Sequence, residues 1–494
     1  MNNVDIVFCS LPPLSVDRVP GAPAILKAVA EDAGYSAIGL DLNIDFFVNQ
    51  CSKNIDKFIK LNFESNRFYE ESDNPLISEW LNESIKKLKK YYPKVIGVSV
   101  FSFLQQYAAE KLCKHIRQYL PDTKIIIGGY GINRSSTNVD NSGYSKIELI
   151  KPFYQLMTDH NLIDKAFLGN DLSAMIDYFS TVIGPAKKKV YNEDKVIFNT
   201  PIPNYDDYQL DNYIFTYQKS LPVTGSRGCV RQCTFCDVPG QFGRFSFRTG
   251  TDIAQEMIYL SEKYNIRFFE FTDSLVNGSL KAFREWLTVL ADYNDSVSQE
   301  NKIEWFGQYI TRPQNQIPKD LYSLMRRSGV TNLVVGVESG SDAVLAAMKK
   351  QMTTKDVFDE LEQFEKHNIS MHLLMFSGFY NETVERFNET LDFIVKLQKY
   401  IANGVIYKIS PGTPFFINEA MFVGQHAESL GIELDPTNQF NWKNKNDPSN
   451  TLLERISRRL IMQEVLDSLG IPISANSIEN LHKLTYLLDK IQHE

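Results

Sequence analysis

Cysteine is scarce in this chain: there are six in 494 residues, and three of them sit within eight positions of one another. So sparse and uneven a supply excludes the disulfide framework of a small secreted scaffold and points to a reducing, cytoplasmic setting. No apolar run approaches the roughly 20 residues needed to cross a bilayer, and no basic start precedes an apolar stretch, so neither a membrane span nor a secretion signal is expected. A positive excess is missing too. The 52 Lys and Arg are outnumbered by 60 Asp and Glu, a net charge of −8 that speaks against general affinity for nucleic-acid backbone. The basic runs Lys86-Lys87-Leu88-Lys89-Lys90 and Lys187-Lys188-Lys189 read as the solvated end of an amphipathic helix and as an exposed loop. Histidine numbers seven (His115, His160, His367, His372, His426, His482, His493) and is absent from the first 114 residues. None stands in the spaced pairs that a zinc knuckle uses. Internal repeats and low-complexity segments are absent as well.

What is there is an ordinary globular composition, 43% hydrophobic and 23% charged, in a chain long enough for about three domains. Residues 1–185 alternate strand-like segments (4–9, 37–40, 95–100, 124–127, 165–168) with helical patterns at 23–33, 75–91, 105–119 and 171–181. Short, continuously apolar strands separated by helices indicate an α/β domain with a buried, doubly wound (Rossmann-like) parallel sheet. The Pro-, Asn- and Asp-rich stretch 186–216 reads as a linker. A second alternating series follows over 217–415, with strands at 221–225, 267–272, 303–309, 332–338, 370–376 and 404–410. Six β/α units predict a partial, TIM-like (β/α)6 barrel whose active residues gather at the carboxyl ends of the strands. Residues 416–494 read as mostly helical, as in 452–469 and 478–491.

The run Gly228-Cys229-Val230-Arg231-Gln232-Cys233-Thr234-Phe235-Cys236 places three thiolates on one short loop after the first barrel strand. A cubane iron–sulfur cluster takes four cysteines, so three leave one iron with an open position, where a metal centre does chemistry. The alternatives are a structural zinc site or three buried thiols. Gly228 would let the chain wrap closely around a cluster. Arg227, Arg231 and Arg248 add positive charge nearby, either to position an anionic substrate or, more simply, as solvated surface arginines.

The C-x3-C-x2-C loop and its flanks resemble the radical S-adenosylmethionine (radical SAM) superfamily, and the likeness extends over about 200–414. In that family the cluster's open iron holds the amino and carboxylate groups of S-adenosylmethionine, whose reductive cleavage yields a 5′-deoxyadenosyl radical. The resemblance implies ligation of a [4Fe-4S] cluster by Cys229, Cys233 and Cys236 and a place for Phe235 beside the adenine. It implies that Asp273 and Ser274, in Phe271-Thr272-Asp273-Ser274, hold the methionyl amine; a helix N-cap is the other reading of Asp273. Gly336-Val337-Glu338-Ser339-Gly340-Ser341 resembles the G-x-E-S-G-S motif, whose glutamate reaches the ribose, which gives Glu338 and Ser339 cofactor roles. Gly378-Phe379-Tyr380-Asn381-Glu382-Thr383 stands for a G-x-P-G-E-T turn, with Asn381 able to take the left-handed conformation of the missing glycine. Ser410-Pro411-Gly412-Thr413-Pro414 matches the family's end of the sixth strand.

The N-terminal half resembles the cobalamin-binding domain of one large branch of this superfamily. Gly34-Tyr35, Gly97-Val98-Ser99, Gly128-Gly129 and Leu168-Gly169-Asn170-Asp171 carry the likeness, with Gly97, Ser99, Gly128 and Gly129 as candidate contacts to the corrin or its tail. The D-x-H-x-x-G motif that supplies a histidine to cobalt is absent, as it is from some methylases of the branch that bind cobalamin without a protein ligand. The resemblance implies cobalamin-dependent methylation of an unactivated carbon, a small-molecule or peptide substrate, and an electron donor such as flavodoxin or ferredoxin. Cobalamin-independent ring formation or rearrangement is one alternative. Methylthiolation, with Cys9, Cys51 and Cys113 on a second cluster, is another, and a non-catalytic cobalamin or nucleotide sensor is a third. Phe440 and Trp442 are candidates to lid the site or to pack in the core.

Overall fold

The computed structural model describes residues 3–48, 75–133, 151–169, 172–187, 196–213, 218–435 and 438–471. The chain divides into two compact units, Met1–Pro222 and Val223–Glu494.

In the first unit, strands β1 (Ile6–Ser10), β2 (Ala37–Asp41), β3 (Val95–Ser99), β4 (Lys124–Gly128) and β5 (Lys165–Phe167) form one sheet in the order β2-β1-β3-β4-β5. All its pairings are parallel. This is a doubly wound order that reverses direction between β1 and β3, and ligands of such folds bind outside the carboxyl ends of the strands at that reversal. The strands form because Ile6, Val7, Val95, Ile96, Ile125 and Ile127 are buried on both faces, where β-branched side chains pack well. Helices Gly21–Asp32 and Leu172–Val182 bring Val29, Ala30, Met175, Ile176 and Phe179 onto one face of the sheet, around Ile6 and Phe8. Gly97 is needed there because a Cβ would lie 2.6 Å from the Phe8 ring.

The stretch read as a linker is tied down along its described part. Asp207 accepts from Lys27 and from the Gly39 amide, and Tyr213 donates to the buried Asp41. Its Asp and Tyr side chains thus find their partners on β2 and the first helix, which a composition-based reading takes for solvent. Cys9 and Cys113 are fully buried, and burial pushes both thiols up, Cys113 to about 12. Cys51, Asn170 and Asp171 lie outside the described residues, as does the helical pattern at 478–491.

The second sheet is built from β6 (Ser220–Val223), β9 (Phe268–Phe271), β10 (Glu304–Tyr309), β11 (Val330–Glu338), β12 (Ser370–Met375) and β13 (Ile406–Ser410), in the order β13-β12-β11-β10-β9-β6. Between β6 and β9 a small antiparallel pair, β7 (Ser226–Arg227) with β8 (Ser246–Phe247), frames the cysteine loop. From β9 to β13 the neighbours run parallel with helices between them, the expected partial barrel. Phe271, Trp286 and Trp305 pack together, Trp286 and Trp305 edge to face at 4.7 Å, and the Trp305 indole nitrogen donates to Ser328.

Beyond residue 416 the expectation of mostly helical structure holds for Leu452–Ser468 but not for the described residues before it. These contain the short helix Phe422–Gln425 and the strand pair β14 (Ile432–Glu433) and β15 (Lys443–Asn444). The cause is local. Asn418, Asp435, Asn438, Asn444 and Asp447 accept from main-chain amides two or three residues on, which favours turns over helix.

Candidate functional site

The cysteine loop opens with Gly228 in the left-handed region, φ +75°, a conformation that favours glycine. Cys229, Cys233 and Cys236 follow, half-buried and outside any disulfide. Burial pushes the Cys233 thiol up and that of Cys236 to about 12, so both keep their protons until a metal displaces them. Among the described residues no three His, Cys, Asp or Glu side chains converge on one point, these cysteines included. Three thiols on one short loop are a donor set that fits a cubane with one iron left open.

The loop is fastened to the segment after β11. The Thr234 amide donates to Met348 O at 3.0 Å and its hydroxyl to Ala347 O at 3.1 Å. Arg231 is 6% exposed and donates to Lys350 O, Gln351 O, Gln351 Oε1 and Thr311 O. Arg248 is 3% exposed, pairs with buried Glu256 at 2.8 Å and donates to Thr224 O. Both therefore depart from the surface role expected of them, because their acceptors lie on other segments, the loops at Thr224, Thr311 and Lys350 and the helix that carries Glu256. Arg227 is half-buried.

These fastenings bring Glu338 to the cysteines. At the end of β11, past a register shift, Glu338 takes φ +74°, and its carboxylate folds back so far that a Cβ at Gly336 would sit 2.2 Å from it. It accepts from Lys350 Nζ at 3.3 Å. The same ammonium lies 5.6 Å from the Phe235 ring centre, and Phe235 packs edge to face on Phe376. The fields of both Lys350 and Glu338 reach Cys233. One ribose-sized acceptor, one cation and one aromatic ring thus stand beside the thiols, a set that fits a zwitterionic nucleoside. Lys350 was missed by sequence reasoning; nothing in its local pattern marks it.

The rest of the motif around Glu338 serves the turn. Ser339 is fully buried with its hydroxyl against Thr390 Oγ1 at 3.1 Å, and Ser341 bonds Glu389. Asp273 is 4% exposed and accepts from the Gly225 amide at 2.8 Å and the Ser226 hydroxyl at 2.7 Å. It caps no helix, since the next one starts at Leu280 with Ser279 as its cap. It clasps the chain just before the cysteine loop, with Ser274 half-buried beside it. Gly378 has φ +83°, and a Cβ there would meet Arg455 Cγ at 2.3 Å. Buried Glu382 accepts from the Gly378 amide and from Arg458, closing the turn without a left-handed Asn381. Trp442 is a core residue, stacked under the Arg455 guanidinium and donating to Phe415 O, and Phe440 O accepts from Arg455.

In the first unit, Phe101, Phe103 and Leu168 are 67%, 40% and 48% exposed just past the carboxyl ends of β3 and β5. Gly128 and Gly129 lie between them at the end of β4. A Cβ at Gly129 would collide with Val100 O at 2.5 Å, whereas one at Gly128 would meet nothing closer than 3.6 Å. Ser99 ends β3, half-buried. An exposed apolar rim beside an open glycine suits a large, flat, partly apolar ligand such as a corrin.

Residues 223–394 match the family model "Radical SAM superfamily". An uncharacterised methyltransferase of Pyrococcus horikoshii is 23% identical over 337 residues, 66% of this chain and 70% of the relative. A tRNA-2-methylthio-N(6)-dimethylallyladenosine synthase of Acinetobacter baumannii is 30% identical over 206 residues, 39% of this chain and 40% of its own length, so the match spans less than half of that enzyme. Among solved structures, the radical S-adenosylmethionine methyltransferase TsrM of Kitasatospora setae, with cobalamin and a [4Fe-4S] cluster bound, superposes with a TM-score of 0.59 at 14% identity, covering 88% of this chain and 81% of that one. The cobalamin-dependent enzyme OxsB, with aqua-cobalamin and S-adenosylmethionine bound, gives 0.62 at 13% identity over 99% and 72%. No helix among the described residues is long and apolar enough to cross a membrane. Residues 223–394 are a radical SAM domain, and ahead of it lies a doubly wound domain whose fold the chain shares with the solved structures of TsrM and OxsB.

Proposed function

We propose that this radical SAM enzyme is a cobalamin-dependent methyltransferase acting on an unactivated carbon of a small-molecule or peptide substrate. The observation that carries the reading is the meeting of Cys233, Phe235, Glu338 and Lys350 in one unit of a chain whose other unit offers the apolar rim of Phe101, Phe103 and Leu168. Cluster and S-adenosylmethionine together supply an electron-driven source of a 5′-deoxyadenosyl radical.

The chain's own residues bind and orient. Cys229, Cys233 and Cys236 would hold three irons; Glu338 would accept the ribose hydroxyls, Lys350 would turn to the methionyl carboxylate, and Phe235 would face the adenine. Gly128 and the rim of the first sheet would receive the corrin, which meets no histidine of the first 114 residues. A single-electron donor of the flavodoxin or ferredoxin kind would reduce the cluster. A second cluster on Cys9 and Cys113 is disfavoured by their complete burial in the core of the first unit, in contrast to the half-buried cysteines of the loop.

Anaerobic reconstitution with iron, sulfide and hydroxocobalamin tests the reading. Expected are about four irons per chain, stoichiometric corrin in the visible spectrum, and 5′-deoxyadenosine formation that disappears in Cys233→Ala. Iron and 5′-deoxyadenosine without retained corrin would refute the cobalamin branch, and corrin without either would favour a sensor.

A further inference from the structure

We infer that two arginines, the buried Arg231 and the half-buried Arg312, are the counter-charges of the cluster and set how readily it accepts its electron. The inference rests on the cluster reading above. Arg231 lies between two of the cysteines, and all four acceptors of its guanidinium are neutral oxygens. Arg312 directly follows Thr311, which accepts from Arg231. Its Nη2 donates to Asn277 O at 3.1 Å and Gly278 O at 3.3 Å, and its Nε is buried without a partner. Neither guanidinium has a carboxylate in ion-pair contact among the described residues. The third cation of the site, Lys350, is answered by Glu338.

The charge of Arg312 acts on Arg231 and that of Cys229 on both, while Asp356 acts on Arg231 and Glu360 on Arg312 without ion-pair contact to either guanidinium. Glu360 is itself engaged by the Tyr309 and Tyr322 hydroxyls. Two like charges partly withdrawn from water in one site are costly unless an anion offsets them. The cysteine loop supplies that anion once it is metallated. A cubane core of formal charge two-plus bound by three thiolates carries one net negative charge and gains a second on one-electron reduction. Two unanswered cations balance the reduced form and so favour electron uptake. The Arg231 amide, aimed at Cys229 Sγ from 3.4 Å, acts in the same sense.

The test uses the full chain reconstituted anaerobically, with iron analysis and electron paramagnetic resonance at a fixed solution potential. Arg312→Gln is the main variant because its hydrogen bonds go to Asn277 and Gly278 and not to the cysteine loop; Arg312→Lys restores the charge. Expected is unchanged iron in both, with the reduced-to-oxidised ratio of Arg312→Gln lowered at least tenfold, equivalent to about 59 mV for a one-electron couple, and that of Arg312→Lys near the unsubstituted value. A fall smaller than tenfold overturns the inference. Loss of iron in Arg312→Gln but not in Arg312→Lys supports it, because charge is then what the cluster needs; loss in both overturns it in favour of packing. An unsubstituted chain that takes up no iron sinks the cluster reading and this inference together.

Discussion

Removing Asp273 separates two roles that its position allows. Its Oδ1 accepts from the Gly225 amide and its Oδ2 from the Ser226 hydroxyl, with 4% of the residue exposed. At pH 8, where the carboxylate is charged, Asp273→Ala strands the Gly225 amide without an acceptor, while the Ser226 hydroxyl keeps Leu275 O at 3.2 Å. Losing a bond to a charged acceptor and leaving one buried donor unpaired costs about 2–4 kcal/mol. In Asp273→Asn the amide oxygen still serves Gly225, and the Ser226 hydroxyl can rotate to accept from the new NH2, so the loss stays below about 1 kcal/mol. Urea unfolding of the metal-free chain, followed by the fluorescence of Trp286 and Trp305, reads the difference. A cost for Asp273→Ala below about 1 kcal/mol would refute the clasp. If the carboxylate instead receives the methionyl ammonium, Asp273→Asn weakens S-adenosylmethionine binding while both variants stay as stable as the parent.

Gly378→Ala places a methyl 2.3 Å from Arg455 Cγ at φ +83°; a loss of about 1–3 kcal/mol in urea unfolding is expected, and an unchanged midpoint would contradict it. Glu338→Gln keeps the shape of the ribose acceptor but removes its charge and the partner of Lys350, so S-adenosylmethionine affinity should fall about tenfold at unchanged iron content, read by equilibrium binding. Burial pushes the carboxyls of Asp273, Glu360 and Glu382 each up to about 7. Between pH 5 and 7 the folded chain therefore holds protons that the unfolded chain has lost, and stability falls as pH rises across that window. Unfolding midpoints that climb from pH 5.5 to 7.5 would show the sign to be wrong.

Much of the architecture was legible because buried parallel strands announce themselves. Ile125-Ile126-Ile127 and Val95-Ile96-Gly97-Val98 are too apolar and too short for surface helices, and both lie in β-strands. The cysteine loop was equally plain, since its ligands come from one short stretch. What escaped the sequence depends on partners far along the chain. Arg231 looks solvated until Lys350 and Gln351, about 120 residues later, supply its acceptors. Lys350 gains meaning only when the turn after β11 folds it back onto Glu338. In the tail, the hydrophobic spacing suggested helix before Leu452, but Asn and Asp side chains bonded to nearby amides won locally.

The helix Leu452–Ser468 bears on how a minimal version of this protein can be cut. Arg455 fills the space above Gly378, Arg458 grips Glu382, and Arg459 donates to Gly412 O at 2.6 Å, all three at most 1% exposed. The family match stops at residue 394, upstream of β13 and of this helix. A fragment trimmed to the matched segment would lose both edge strands of the sheet, β13 and nearly all of β6, and the three guanidinium pegs that hold its closing turns. An excised radical SAM body therefore has to begin ahead of Ser220 and reach at least through Ser468.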